Sequence, residues 1–240
     1  MHRAMFAFVF AAVAFVSPAV FAQTSDVTEH GPIILEPVAM DTEYGRFSIG
    51  PSVGTLGAGL EAGLRVNDTF GFRLNGHYLN YNHSAKIDDI SYDGTLGLKS
   101  AGLIADIHPF GGGFRVSAGV RLNMNEVDLT ANPSGNIEIG DAVYTPGEVG
   151  TMNGSIDFNQ FSPYIGVGYE GTPFDTPNFV LGFEAGAMYH GSPSVKLSAT
   201  GAASNSALAA DIERERAKAE DDLSKYKLYP VVMFTARYRF

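Results

Sequence analysis

Eight segments of the chain alternate apolar and polar residues with a period of two, the pattern of a β-strand whose two faces meet different media. The pattern is clearest in the last segment, whose apolar face carries Leu228, Pro230, Val232, Phe234, Ala236, Tyr238 and Phe240. The opposite face of its second half carries Thr235, Arg237 and Arg239. The seven earlier segments cover residues 46–54, 57–66, 70–81, 90–108, 114–125, 155–170 and 179–189. We therefore predict eight strands, each with one face toward lipid and the other toward a polar interior.

The connections between these segments differ in length at the two ends of the predicted strands. Short turns lie near Asn67, Gly112 and Thr176. Longer connections cover residues 82–89, 132–153 and 201–226. Short periplasmic turns and longer extracellular loops are typical of transmembrane barrels. Strands in a bilayer must form a closed barrel, because only then does every backbone N–H and C=O group have a hydrogen-bond partner. The predicted fold class is all-β: an eight-stranded antiparallel transmembrane β-barrel. A ten-stranded barrel that uses residues 137–145 as an extra hairpin is the alternative.

The N-terminal residues predict secretion. Arg3 precedes an apolar run over residues 4–16, and Ala22 ends a small-residue cleavage site. This is the pattern of a signal peptide over residues 1–22, because a transmembrane anchor needs a run of roughly 20 residues. We expect residues 23–43 to be a periplasmic N-terminal segment of low order, and residues 44–240 to form the barrel.

The amino-acid composition excludes several kinds of chemistry and partner. The 240 residues include no cysteine, which excludes disulfides and thiolate chemistry, and the formal net charge of −10 argues against nucleic acid as a partner. No metal-binding, dinucleotide or phosphate-loop motif is present. His77 shares an inward face with Arg73 and Asn75, which favours a hydrogen-bonded interior residue over a catalytic base. We therefore expect a protein without enzymatic activity or cofactor.

Charged residues concentrate on the predicted inward face. Its seven arginines and four carboxylates are Arg46, Arg65, Arg73, Arg115, Arg121, Arg237, Arg239, Glu61, Asp106, Glu170 and Glu184. An eight-stranded lumen is only wide enough to be filled by side chains, and buried charges are tolerated when they are paired. We predict an ion-pair network that closes the lumen. An arginine-lined path for small anions is the functional alternative.

The polarity of three strands reverses in their extracellular halves. There the inward residues are Leu96, Leu98, Val127, Leu129, Ile156 and Phe158. Their outward neighbours are Lys99, Glu126, Asp128, Asp157 and Asn159. A strand that leaves the membrane meets water outside, so apolar side chains can gather within. We predict an extracellular apolar collar, which is either a small core under the loops or a vestibule for a small hydrophobic ligand.

The last long connection predicts an amphipathic helix. Asn205 or Ser206 is a suitable N-cap, and Leu208, Ile212, Ala219 and Leu223 recur at helical spacing. The helix in this extracellular loop either caps the collar or is a frayed, solvated segment.

The terminal residues carry a resemblance. Tyr238 and Phe240 resemble the C-terminal sorting signal of bacterial outer-membrane barrels, in which a final Phe and a Tyr two residues earlier are recognised by the insertion machinery. Together with the signal peptide and the eight segments, residues 46–240 resemble the small eight-stranded barrels of the OmpA, OmpX and OmpW type. The resemblance implies a place in the bacterial outer membrane, the outer layer of a Gram-negative envelope. It also implies contact with outer-membrane lipid and lipopolysaccharide.

Two functional classes follow from the resemblance and the loops. The first is a non-enzymatic outer-membrane barrel with a structural or surface-interaction role and a closed polar lumen. The second is a narrow porin-like passage or binding vestibule for small or hydrophobic solutes, as the OmpW resemblance implies. The acidic loops favour the first class, and the apolar collar favours the second.

Overall fold

The computed structural model describes residues 35–37, 45–87, 90–173, 176 and 178–240. The predicted signal peptide lies outside the described residues, and so does the predicted N-terminal segment except for residues 35–37. The strands within these ranges are β1 (Leu35–Pro37), β2 (Phe47–Gly54), β3 (Gly57–Arg65), β4 (Phe70–Ile87), β5 (Ile90–Ile107), β6 (Phe114–Asn123), β7 (Glu126–Pro133), β8 (Ile137–Ile139), β9 (Ala142–Tyr144), β10 (Met152–Asp157), β11 (Phe161–Pro173), β12 (Phe179–Tyr189), β13 (Ser194–Ala199) and β14 (Leu228–Arg239).

Eight of these strands form a ring of antiparallel pairs. The series β2, β3, β4, β5, β6, β11, β12 and β14 pairs each strand with the next, and β14 pairs with β2. The eight predicted segments correspond to these eight strands. We call the end that contains the connections after β3 and β5, together with Phe240, the turn end of the ring. The opposite end is the extended end.

The predicted extra hairpin exists but does not enter the ring. β8 and β9 pair with each other in a separate two-stranded sheet. Gly140 forms the turn between them with a positive φ of 63°, a conformation that glycine adopts without strain. The ring therefore has eight strands rather than the ten of the alternative prediction.

On one side, the hydrogen-bonded sheet of the ring continues beyond the extended end as a branch that we call the extended sheet. This extended sheet consists of the far halves of β4 and β5 (residues 79–87 and 90–98) and of β7, β10 and β13. β7 continues β6 in the same register against β5, and β10 likewise continues β11. The predicted loop 82–89 is thus wrong, because β4 and β5 stay paired as far as Ile87 and Ile90.

Asparagine side chains mark the boundary between β6 and β7. Asn125 Oδ1 accepts a hydrogen bond from the Lys99 backbone N–H at 3.0 Å, and Asn123 Oδ1 accepts one from the Asn125 N–H at 3.3 Å. The asparagine amides replace ladder bonds where the regular pairing is interrupted, so backbone groups at the boundary keep their partners.

The outer surfaces of the ring and the extended sheet differ in polarity. The ring exposes a band of large apolar side chains that includes Phe47, Leu60, Phe72, Leu74, Leu103, Val120, Phe161, Ile165, Phe183 and Phe234. The outer face of the extended sheet instead exposes Asn82, Ser84, Asp93, Glu126, Asp128, Asn153, Ser194 and Lys196. A continuous apolar band of this extent is unfavourable in water and indicates contact with another apolar phase.

Three helical segments lie at the extended end. A one-turn helix spans Pro146–Val149, a 3₁₀ turn spans Thr200–Ala203, and the longest, which we call the loop helix, spans Ser206–Leu223. Asn205 caps the loop helix, because its side chain accepts hydrogen bonds from the N–H groups of Ala207 and Leu208. Within the described ranges, no helix combines the length and hydropathy that a membrane crossing requires.

Part of the predicted low-order segment is a strand. β1 pairs antiparallel with the last three residues of β11, Gly171–Pro173, at the turn end. The prediction missed this pairing because a strand of three residues that ends in a proline shows no usable alternation.

Candidate functional site

The centre of the ring contains one arginine that contacts three carboxylates. Arg73 donates from Nε and Nη2 to the two oxygens of Asp106 at 2.6 and 2.9 Å and from Nη1 to Glu61 at 2.9 Å. Arg73 Nη2 also donates to Glu184. The side chain is 3% exposed. The planar guanidinium allows this because its five donors point in fixed, separate directions.

A second arginine links the same carboxylates to the turn end. Arg115, fully buried, donates from Nη1 to Glu170 at 2.6 Å and from Nη2 to Glu184 at 3.1 Å. Glu170 also accepts from Arg237 at 2.5 Å and from Arg65 at 3.2 Å. One carboxylate thus serves three guanidinium groups, which makes Glu170 the shared acceptor of this end.

Glycines on the inward face provide the space for these long side chains. A Cβ atom on Gly63 would lie 2.5 Å from Arg237 Nη1, and one on Gly102 would lie 3.0 Å from Arg121 Nη1. Both positions therefore require glycine or a shift of the neighbouring arginine.

Eight of the eleven predicted network residues are joined by ion pairs. They are Glu61, Arg65, Arg73, Asp106, Arg115, Glu170, Glu184 and Arg237. Arg121 is buried inside the ring but contacts neutral groups: Nη1 donates to Asn75 Oδ1 at 2.9 Å, and the guanidinium lies 4.7 Å from the centre of the Tyr164 ring. Arg239 is buried at the turn end.

Arg46 departs from the prediction. It is exposed at the rim of the turn end rather than buried in the network. The reason is its position one residue before β2, where the backbone carbonyl still accepts from the Arg65 N–H but the side chain has left the filled part of the ring.

An apolar layer lies inside the ring beside the charges, and the prediction missed it. Its residues are Leu56, Ile104, Tyr164, Met188, Tyr229, Val231 and Met233. Tyr164 joins the two regions because its hydroxyl donates to Glu184 at 2.5 Å. The sequence carried one signal of this layer: Tyr229, Val231 and Met233 interrupt the polar face of the last strand.

The six predicted collar residues are divided among several contacts. Leu96, Leu98 and Val127 form one buried cluster with Leu79 and Ile156 at its edge. Leu129 belongs to a larger core with the β8–β9 hairpin and the loop helix. Phe158 packs edge-on against His190, with ring centres 4.6 Å apart. The collar residues therefore pack against one another, the β8–β9 hairpin, the loop helix and His190.

The loop helix closes this core with its predicted apolar face. Leu208, Ile212, Ala219 and Leu223 are all buried. Leu208 and Ile212 pack with the hairpin core, whereas Ala219 and Leu223 pack against Val195 of β13.

A buried carboxylate also fixes the helix to the hairpin. Asp211 accepts a hydrogen bond from the Tyr144 hydroxyl at 2.6 Å. This bond raises the pKa of Tyr144, because the acceptor favours the protonated hydroxyl. Asp211 had no signal in the sequence, since its partner lies 67 residues away.

No group of three or more potential metal ligands occurs in the ranges that the structure describes. The donors that the interior does provide are guanidinium groups, which hold the four carboxylates Glu61, Asp106, Glu170 and Glu184.

Solved structures provide the comparison with known proteins. No protein-family model and no curated protein sequence matches the chain. The crystal structure of Acinetobacter baumannii CarO2 is similar with a TM-score of 0.58 and 26% identity, over 82% of this chain and 99% of that chain. Acinetobacter baumannii CarO is similar with a TM-score of 0.56 and 25% identity, over 80% of this chain and 97% of that chain. Together with the apolar outer band, this likeness supports an outer-membrane β-barrel.

Proposed function

We propose that this chain is a non-enzymatic outer-membrane barrel with a closed polar lumen and a structural or surface-interaction role. The OmpA, OmpX and OmpW type of small barrel is the architecture to which we assign it. In this orientation the turn end is periplasmic and the extended end is extracellular.

The main support for a closed lumen is the ion-pair network across the ring. Arg73 and Arg115 contact carboxylates from four different strands, and neither side chain is more than 3% exposed. Removing one partner of such a buried pair costs roughly 3–5 kcal/mol, because the other charge is left uncompensated, so the network holds its members in place across the lumen. The apolar layer beside the network adds a second obstacle to water and ions.

The proposed role therefore belongs to the extended end. The outer face of the extended sheet is polar, and its acidic residues include Glu126 and Asp128. Such a surface suits contact with lipopolysaccharide through shared cations or with another surface molecule. We further propose that Tyr238 and Phe240 guide the chain to the insertion machinery and that nucleic acid is not a partner.

A narrow passage or vestibule for small or hydrophobic solutes is the second candidate. Two observations favour it: arginines outnumber carboxylates inside the ring, and an apolar core lies directly under the loop helix. Passage would require the helix to move away from Leu129 and Val195, because the helix covers both.

The test is the conductance of the refolded protein in a planar bilayer. It is compared with a variant in which a glycine-serine linker replaces residues 206–225, and folding of both is verified by heat-modifiable gel migration. We expect silent bilayers from both proteins, because the network remains when the helix is removed. Discrete steps from either protein would contradict the closed lumen. Steps that appear, enlarge or lengthen only when the helix is removed would establish a passage gated by the helix.

A further inference from the structure

The turn end of the ring contains a cavity of about 40 Å³. Its polar lining includes Arg46, Arg65, Arg237, Arg239, His108 and Glu170. Because Arg46 is exposed, the cavity reaches the mouth of the ring. The volume is enough for about three water molecules, which is comparable to the size of a carboxylate or phosphate group.

Positive charge exceeds negative charge in this cavity. Five arginines line it, since Arg73 also contributes, whereas its carboxylates are Asp106 and Glu170. Both carboxylates are already engaged. Asp106 accepts from Arg73 and from Ser117, and Glu170 accepts from three arginines. Arg73 and Arg237 also pair with Glu61, which lies outside the lining, whereas Arg65 only shares Glu170. Arg46 forms no ion pair with a carboxylate of the described residues, so it and Arg65 are the cations of the cavity with the fewest acceptors.

Buried nitrogen atoms in the lining lack hydrogen-bond partners. Both ring nitrogens of His108, which is 2% exposed, and Nε of the buried Arg237 have no hydrogen-bond partner within the described ranges. The nearest carboxylate to His108 is Glu170, whose Oε1 lies 3.5 Å from Nε2. Unpartnered buried polar groups are rare and indicate a water or a ligand.

We propose that this cavity binds a small oxyanion, a phosphate or a carboxylate group. The anion accepts hydrogen bonds from His108 and Arg237 and lies beside the charges of Arg46 and Arg65. Guanidinium groups suit this role because their paired donors match two oxygens of one oxyanion. The proposed anion site is independent of the proposed function. Only the assignment of the turn end to the periplasm rests on that function.

The test is a titration of the refolded protein in an uncharged detergent with inorganic phosphate, acetate or a short-chain phosphatidylglycerol, at constant ionic strength. Calorimetry measures binding, and NMR follows the ring nitrogens of His108. We expect saturable phosphate or acetate binding and a His108 shift with the same midpoint. His77 should not shift, because it is bonded to Ser52 at 2.8 Å outside the cavity. Tighter binding of the lipid than of phosphate would assign the site to a headgroup.

Two arginine variants distinguish anion binding in the cavity from non-specific attraction of anions to exposed positive charge. Arg46→Gln removes an exposed cation of the cavity and should weaken binding about tenfold, since a hydrogen bond to a charged group contributes roughly that factor or more. Arg214→Gln removes an exposed cation from the loop helix, far from the cavity lining, and should leave binding unchanged. The proposal is overturned if no ligand gives saturable binding with a His108 shift, or if the two variants weaken binding equally.

Discussion

The ring and the extended sheet share the continuous strands β4 and β5 but have opposite polarity. In the ring, charged residues such as Arg73 and Arg115 are buried, while Leu74 and Phe161 are exposed. In the extended sheet, Leu96 and Leu129 are buried, while Glu126 and Asp128 are exposed. The two-residue alternation itself does not change along β5, where every second residue stays inward across the boundary.

This difference indicates that the medium around each region, rather than the strand itself, determines which face of the strand is apolar. Lipid around the ring accepts apolar side chains, so the charges must find partners inside. Water around the extended sheet accepts the charges, so the apolar residues pack under the loop helix. The asparagines at positions 123 and 125 lie where one arrangement replaces the other.

Removing the central cation of the ring should have the largest effect. Arg73→Met leaves Glu61, Asp106 and Glu184 without their shared guanidinium, so we expect a loss of about 3–5 kcal/mol in the free energy of unfolding. Urea unfolding in lipid vesicles, followed by tyrosine fluorescence, measures it. Arg216→Met on the loop helix is the matched control, because an exposed pair contributes about 1 kcal/mol or less. Equal losses from both variants would mean that the network does not stabilise the ring.

A charge on the outer face should distinguish the two regions within one strand. Leu74 and Asn82 point to the same side of β4, Leu74 in the ring and Asn82 in the extended sheet. Leu74→Arg should cost about 2–4 kcal/mol if lipid surrounds the ring. Asn82→Arg should change stability by about 0.5 kcal/mol or less, because its surroundings are aqueous. If Leu74→Arg leaves the free energy of unfolding in vesicles unchanged, lipid does not surround the ring.

The core of the extended end should respond to a smaller change. Tyr144→Phe removes the hydroxyl that donates to Asp211 and leaves a buried carboxylate oxygen without this donor. We expect a loss of about 1–2 kcal/mol, seen as faster hydrogen exchange over the loop helix while β12 and β14 stay protected. Tyr226→Phe, at an exposed tyrosine, is the control and should leave exchange unchanged. Exchange at the wild-type rate in Tyr144→Phe would show that the bond does not fix the helix.

Sequence reasoning succeeded where one physical rule acts on every residue of a segment. Each ring strand needs a lipid face and an interior face, so alternation located all eight, and helical spacing located the buried face of the loop helix. It failed where the partner is distant. Nothing in the six residues of β13 indicates that they pair with β10, and nothing near Asp211 indicates Tyr144. Arg46 lies outside the network because it precedes the first residue of β2. The alternation of apolar and polar residues cannot locate the end of a strand to within one residue.

The smallest expected effect is a pH dependence confined to the extended end. The hydrogen bond to Asp211 raises the pKa of Tyr144, so the folded state resists ionisation of a group whose ordinary value is about 10. The stability from this group is fully present below that pH and is lost as the pH rises through the raised pKa. We therefore expect hydrogen exchange of the loop helix to accelerate in alkali more steeply in the wild-type protein than in Tyr144→Phe. The ring strands should give parallel profiles in both proteins, since Tyr144 lies outside the ring. Identical helix profiles would show that the Tyr144–Asp211 hydrogen bond does not contribute to docking of the loop helix.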